Sequence, residues 1–246
     1  MTQSLALRML PSVLPSVLPT VLGALLALSA AATQAASSLV LTTELIDATI
    51  SQHPNLGSGN LPQGASDTLY DIVPNGFQAA TLLRFDLSAW AGHSVQGSAQ
   101  LDMTFLGLSY SPSVDLTIRP VGSAWGEYTV TWNNFANNLG APVGGGTVLA
   151  ADYAAGDLVS FSLPQALVQQ WIDQPASNHG LILQASNGRD LAFASREYVP
   201  VGGSAGDWAP LLGFTAAAPV PEVDTSALLG AGLLALGALV RRRRAA

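Results

Sequence analysis

Four arginines, Arg84, Arg119, Arg189 and Arg196, are all the cationic side chains between residues 37 and 220, against fourteen Asp and Glu. A guanidinium presents five donors in a fixed fork, a geometry that suits sugar hydroxyls and carboxylates. Flat rings complete such a site by stacking on pyranose faces, while a few polar groups fix the hydroxyls. In TLLRFDLS, Arg84 points away from the face carrying Leu83, Phe85 and Leu87. In DLAFASRE, Arg196 shares the small-residue face of Ala192 and Ala194, opposite Leu191 and Phe193, which leaves space beside it. Trp125 in VGSAWGEY and Tyr198 in SREYVP fall in turn-like stretches and are free to face a ligand. Trp132, on one face with Tyr128 and Val130, and Trp171, on a helix face, read as core. These placements nominate Arg84, Trp125, Arg196 and Tyr198 as a ligand-facing surface of guanidinium forks and flat rings. The competing account pairs Arg84 with Glu197 or Asp86 as a structural bridge and uses the two rings to cap the fold.

Other chemistries find less support. The histidines, His53, His93 and His179, stand singly beside Pro or Gly, and the chain has no cysteine, so zinc spacing is missing. No G-x-S-x-G elbow occurs, and GAGLLA, which formally fits a dinucleotide fingerprint, lies in an apolar run with no strand before it. A glycosidase needs only two well-placed carboxylates, and sequence does not show their separation. Asp47, Asp67, Asp71 and Asp207 have the oxygens a structural calcium ion takes, without a D-x-D-x-D-G loop to gather them. No cofactor is expected beyond that ion. Fourteen carboxylates against four guanidiniums leave ten negative charges, which repel phosphate backbones and argue against nucleic acid.

The elements that must position these residues are strands. AQLDMTF puts Ala99, Leu101, Met103 and Phe105 on one face and Gln100, Asp102 and Thr104 on the other. VDLTIRP and LVSFSL repeat the pattern, and LVLTTEL, DATISQ, DTLYDIV, YTVTW, GLILQA and PLLGFT extend it. Period-two runs separated by Gly, Pro, Asn and Ser turns predict an all-β, antiparallel two-layer sandwich. One short helix interrupts it in LPQALVQQWIDQP, where Leu167 and Trp171 stand four apart between two prolines. About 180 residues suffice for one domain with a real core.

Both ends read as addresses. Residues 1–36 have an early Arg8, an apolar centre and small residues near Ala35, the layout of a secretory signal peptide. The sandwich is expected over 37–216, a Pro/Ala linker over 217–224, and a tail over 225–246. In that tail an apolar run, 227–240, precedes Arg241, Arg242, Arg243 and Arg244. Fourteen residues of helix span roughly 21 Å, against about 30 Å for a hydrocarbon core. Arginines after an apolar transmembrane helix mark the cytoplasmic side and leave the domain outside.

The order IDATISQHPNLGSGN, TLLRFDLSAWAGHSVQGSAQLDMTF, VGSAWGEYTVTWNNF, WIDQPASNHGLILQ and FASREYVP resembles a DNRLRE-domain protein, also called carbohydrate-binding module family 96. The resemblance spans about Ile46 to Phe214 and implies a jelly-roll-like sandwich that binds extracellular polysaccharide. Pro221 and Glu222, the apolar helix and the terminal arginine cluster resemble a PEP-CTERM sorting signal. That likeness implies export across the inner membrane of a Gram-negative bacterium, transient insertion of the tail, and recognition by an exosortase. The expected function is a secreted or cell-surface, non-catalytic carbohydrate-binding or matrix protein. The alternatives are a polysaccharide hydrolase or lyase, and a structural surface protein without sugar affinity.

Overall fold

Alternating residues in this chain are divided between two environments, and the strands show how. A computed structural model describes residues 37–219 apart from 43, 57, 72–77 and 188–189, together with Leu233, Arg241 and Arg243. One sheet contains β1 (Ser37–Thr42), β11 (Leu211–Ala217), β5 (Ser94–Leu108), β10 (Leu191–Ala194) and β3 (Thr68–Asp71) in that order, with β8 (Leu158–Leu163) also paired to β5. The second runs β2 (Leu45–Ser51), β4 (Ala79–Phe85), β9 (Leu181–Ala185), β6 (Ser113–Pro120) and β7 (Gly144–Leu149). Every pairing between these strands is antiparallel. The fold is the all-β antiparallel sandwich that the alternation predicts.

The inner faces meet in a core that includes Leu83, Phe85, Leu101, Met103, Ile118, Leu163, Phe193 and Phe214. Each fully buried aliphatic or aromatic side chain contributes about 1.5–3 kcal/mol, and a chain without cysteine holds itself by such packing. The helix α1 (Gln165–Asp173) closes one end with Leu167, Val168, Trp171 and Ile172. It is fastened by amides: Gln169 Oε1 accepts from Val95 N–H at 2.7 Å, and Gln165 Nε2 donates to Val95 C=O at 2.6 Å.

Two sequence expectations are corrected and one strand appears that was not anticipated. LVLTTEL is not one strand; β1 pairs with β11 and β2 with β4, so the chain changes sheet between Thr42 and Leu45. GGGTVL, unpredicted because glycine weakens strand propensity, is β7 at the edge of the second sheet. YTVTW is a succession of turns instead of a strand. Among the described residues no helix is long and apolar enough to cross a membrane. The expected signal peptide, residues 1–36, and, apart from Leu233, the apolar run 227–240 lie outside the described residues.

Candidate functional site

The outer face of the second sheet is also apolar at its centre. Ala48 and Ile50 of β2, Ala80 and Leu82 of β4, and Ile182 of β9 form a second buried cluster there with Val121, Trp125 and Val130. The cover is the loop 121–140. Its neck is closed by Gly140 N–H to Pro120 C=O at 2.9 Å and Gly122 N–H to Asn138 C=O at 2.7 Å. Trp125 is its main plug. The ring is 9% exposed, and its Nε1–H donates to His179 C=O at 2.8 Å. The Arg84 guanidinium lies 5.9 Å from the ring centroid. Gly180 makes the approach possible, since a Cβ there would stand 2.0 Å from Leu83 C=O.

Seven residues further on, the loop presents a second tryptophan differently. Thr131 N–H donates to Asn134 Oδ1 at 2.7 Å, Asn134 N–H to Thr131 Oγ1 at 3.2 Å, and Asn134 Nδ2 to Thr129 C=O at 2.8 Å. This reciprocal lock turns the chain so tightly that Trp132 is only half-buried. Asn133 N–H donates to Gly59 C=O at 3.0 Å and Asn133 Nδ2 to Asn60 Oδ1 at 2.7 Å, anchoring the turn from outside.

Trp132 stands between two adjoining hollows on the sheet. One, of about 240 Å³, is lined by Gln78, Ala80, Thr117, Arg119, Gln184 and Ser186 among others. The other, of about 140 Å³, adds Ile50, Phe135, Asn137 and Ile182. Both share Gln78, Trp132 and Gln184, so they form one cleft. Its floor follows from strand register: Ile50 pairs with Ala80, Ala80 with Gln184, and Gln184 with Thr117 across β2, β4, β9 and β6. No carboxylate is among the described lining residues, and Arg119 is the charge there.

Arg84 lines a different groove, of about 440 Å³, with Glu44, Asp86, Ser88, Trp171 and Asn178. The hydrogen bonds from Ser88 hold the Asp86 carboxyl below the usual carboxylate range, with Arg84 adding to the effect.

Arg196 belongs to a third constellation. Its Nη2 lies 2.9 Å from both Glu127 Oε1 and Glu197 Oε1, its Nη1 donates to Leu45 C=O at 2.8 Å, and its backbone N–H donates to Asp47 Oδ2 at 2.9 Å. Burial, with Glu197 and Glu127 alongside, pushes the Asp47 carboxyl up to about 7 against the pull of the Arg196 N–H.

Of the four nominated residues, Arg84 and Trp125 meet, but the ring is buried under the loop instead of facing out. Arg196, about a third exposed, is engaged by acids from two other segments. Tyr198 stacks on Trp208, with centroids 5.3 Å apart and planes at 12°. The expected bridge from Arg84 to Glu197 is replaced by the bridge from Arg196. Arg189 lies outside the described residues, as do Pro221, Glu222, Arg242 and Arg244; Arg241 and Arg243 are exposed and helical. The four aspartates considered for calcium do not assemble: Asp71 bonds to Thr81, Asp67 to Thr68, and Asp207 to Ser204 N–H. Asp47 instead joins Glu127 and Glu197. Sequence reading placed Trp132 in the core and did not single out Gln78, Thr117 and Gln184, which line this cleft with Arg119. Their signal was the T-W-N-N stretch, which fits a side-chain-locked turn, and the polar residues alternating with core positions on β6 and β9.

A sandwich with an aromatic-walled, polar-floored cleft on one sheet face has the architecture of a ligand-binding module. The sequence profile of carbohydrate-binding module family 96 matches residues 47–199, and the chain belongs to that family. Among curated proteins, no relative matches the sequence.

Proposed function

We propose that this chain is a non-catalytic carbohydrate-binding protein whose ligand lies in the cleft above the second sheet. Trp132 is the stacking platform, and Gln78, Thr117, Arg119 and Gln184 address the hydroxyls. The observation that carries this reading is a half-exposed tryptophan, fixed by the Thr131–Asn134 lock, between two hollows with amide, hydroxyl and guanidinium groups. Arg119 without a neighbouring carboxylate lets the cleft accept neutral or acidic sugars despite the acidic body. Titration of the full chain against polysaccharides by calorimetry tests it. Trp132→Ala is expected to weaken binding by about 2 kcal/mol, roughly 30-fold. Undiminished affinity in that variant would remove the cleft from consideration.

The enzyme alternative would place its chemistry in the groove beside Arg84, where Glu44 and Asp86 both stand. A general acid needs a raised pKa, and Asp86 is shifted the other way. Absence of reducing-sugar release and of unsaturated products from bound polysaccharide is the expected result. Export through the signal peptide and exosortase sorting of the tail, with Pro221, Glu222 and the four terminal arginines as the signal, complete the proposal. It places the mature protein outside the cell or on its surface, after transient insertion of the tail in the inner membrane. The intact mass of the extracellular protein checks this: it should lack residues 1–36 and Arg241, Arg242, Arg243 and Arg244.

A further inference from the structure

Asp47 from β2, Glu127 from the covering loop and Glu197 from the turn after β10 converge, with one carboxylate oxygen from each lying within 4.8 Å of the others. Ligands of one calcium ion sit 2.3–2.6 Å from it, so two of them are at most about 5 Å apart. The separation fits a common ion.

Charge points the same way. Among the described residues, Arg196 is the cation bridged to these acids, and a single Nη2 serves both Glu127 and Glu197. Three carboxylates face one guanidinium, so when ionised they exceed it by two negative charges, and two of the three, Asp47 and Glu127, are buried. Two oxygens have no hydrogen-bond partner, Asp47 Oδ1 and Glu197 Oε2. Asp47 is 0% exposed and Glu127 6%. A buried carboxylate oxygen without donor or cation is costly, and native folds avoid it. Asp47 is also held in position, since its Oδ2 takes the Arg196 N–H and its own N–H donates to Glu127 Oε1 at 3.3 Å. Gly64 lies close against Glu127, where an added Cβ would stand 2.1 Å from Glu127 C=O.

We infer that Asp47, Glu127 and Glu197 bind a divalent cation of the oxygen-ligand class, calcium foremost, which ties the 121–140 loop to the sandwich. Neither imidazole nor thiolate is in the cluster, which disfavours zinc and copper. Magnesium demands octahedral contacts near 2.0–2.1 Å and keeps its water, a poorer match to three carboxylates spread over up to 4.8 Å. The inference is independent of the sugar-binding reading, because it requires no ligand in the cleft.

The test uses the full chain, stripped with EDTA and titrated with calcium chloride by calorimetry, with thermal melts in calcium, magnesium and EDTA. One ion per chain is expected. At a hundredfold excess over the dissociation constant, the melting temperature should rise by roughly 5–10 °C. Glu197→Gln, at the rim of the cluster, should stay folded and weaken calcium at least tenfold. Asp47→Asn should abolish the melting shift. A folded full chain with no heat and no shift in millimolar calcium would leave Arg196 as sole counter-ion and overturn the inference. Undiminished calcium affinity in Glu197→Gln would do the same, by placing the ion elsewhere.

Discussion

On its inner face the second sheet meets another sheet, and Leu83 and Phe85 of β4 interlock there with Leu101, Met103 and Phe193. On its outer face the same strand offers Ala80, Leu82 and Arg84 to a loop made of turns, 121–140. The first interface buries most of its large side chains completely. The second is partial: Trp125 plugs it, while Trp132 leaves the sheet open beyond Ala80. Two tryptophans seven residues apart in one loop thus have opposite roles. Burial alone does not decide this, since both rings touch the same apolar cluster. The difference lies in where the backbone is tied. Trp125 is held by its own indole N–H, whereas Trp132 is held through its neighbours, so its ring remains unspent.

The sharpest way to break this comparison is to truncate the two rings separately. Trp125→Ala should lose about 3–5 kcal/mol of stability in denaturant melts, because a buried ring and its hydrogen bond vanish together. Trp132→Ala, which the sequence alone would place in the core, should cost far less stability and show its effect in the roughly 30-fold loss of affinity given above. Equal destabilisation by both would mean that the loop has one role, not two. Asn134→Ala comes next. Losing its bonds to Thr131 N–H and Thr129 C=O should cost about 1–2 kcal/mol and weaken sugar binding through a mobile Trp132. Restoring affinity with Asn134→Asp, which keeps the acceptor, would sharpen the assignment.

Asp71→Asn acts through the pH profile, not through the loop. Burial holds the Asp71 proton up to about 8, against an ordinary value of 3.8, despite the bonds from Thr81. Between those values the folded state carries one more proton than the unfolded chain, so this group makes stability fall as pH rises from about 4 to 8. The Asn variant should flatten that part of the pH profile, as melts at pH 5, 7 and 9 would show.

How far the molecule was legible from its sequence depends on which force wrote each part. The core strands were legible because two faces in different solvents impose a period of two, as in Val114, Leu116 and Ile118. The face of Arg84 was read correctly for that reason, but what lies over that face was not. YTVTW alternates like a strand, yet Thr131 and Asn134 bond to nearby backbone in preference to a ladder, and that competition fixes the turn. The misplacement of Trp125 and Trp132 follows from this one error. Arg196 was misjudged differently: its acids come from positions 47 and 127, and no local pattern announces a contact across 149 residues.

Ser37 pairs with Ala217, so the first and last strands of the sandwich begin and finish side by side. Chain entering and leaving there does so at one corner. Load applied between the two ends would therefore peel β1 from β11 one residue pair at a time, while the remaining sheets bear none of it. A linkage through the C-terminal end alone would transmit drag into β11, which lies between β1 and β5 and is braced on both edges. The body is thus mechanically weak to opposed pulling at its ends and firm when held by its C-terminal strand.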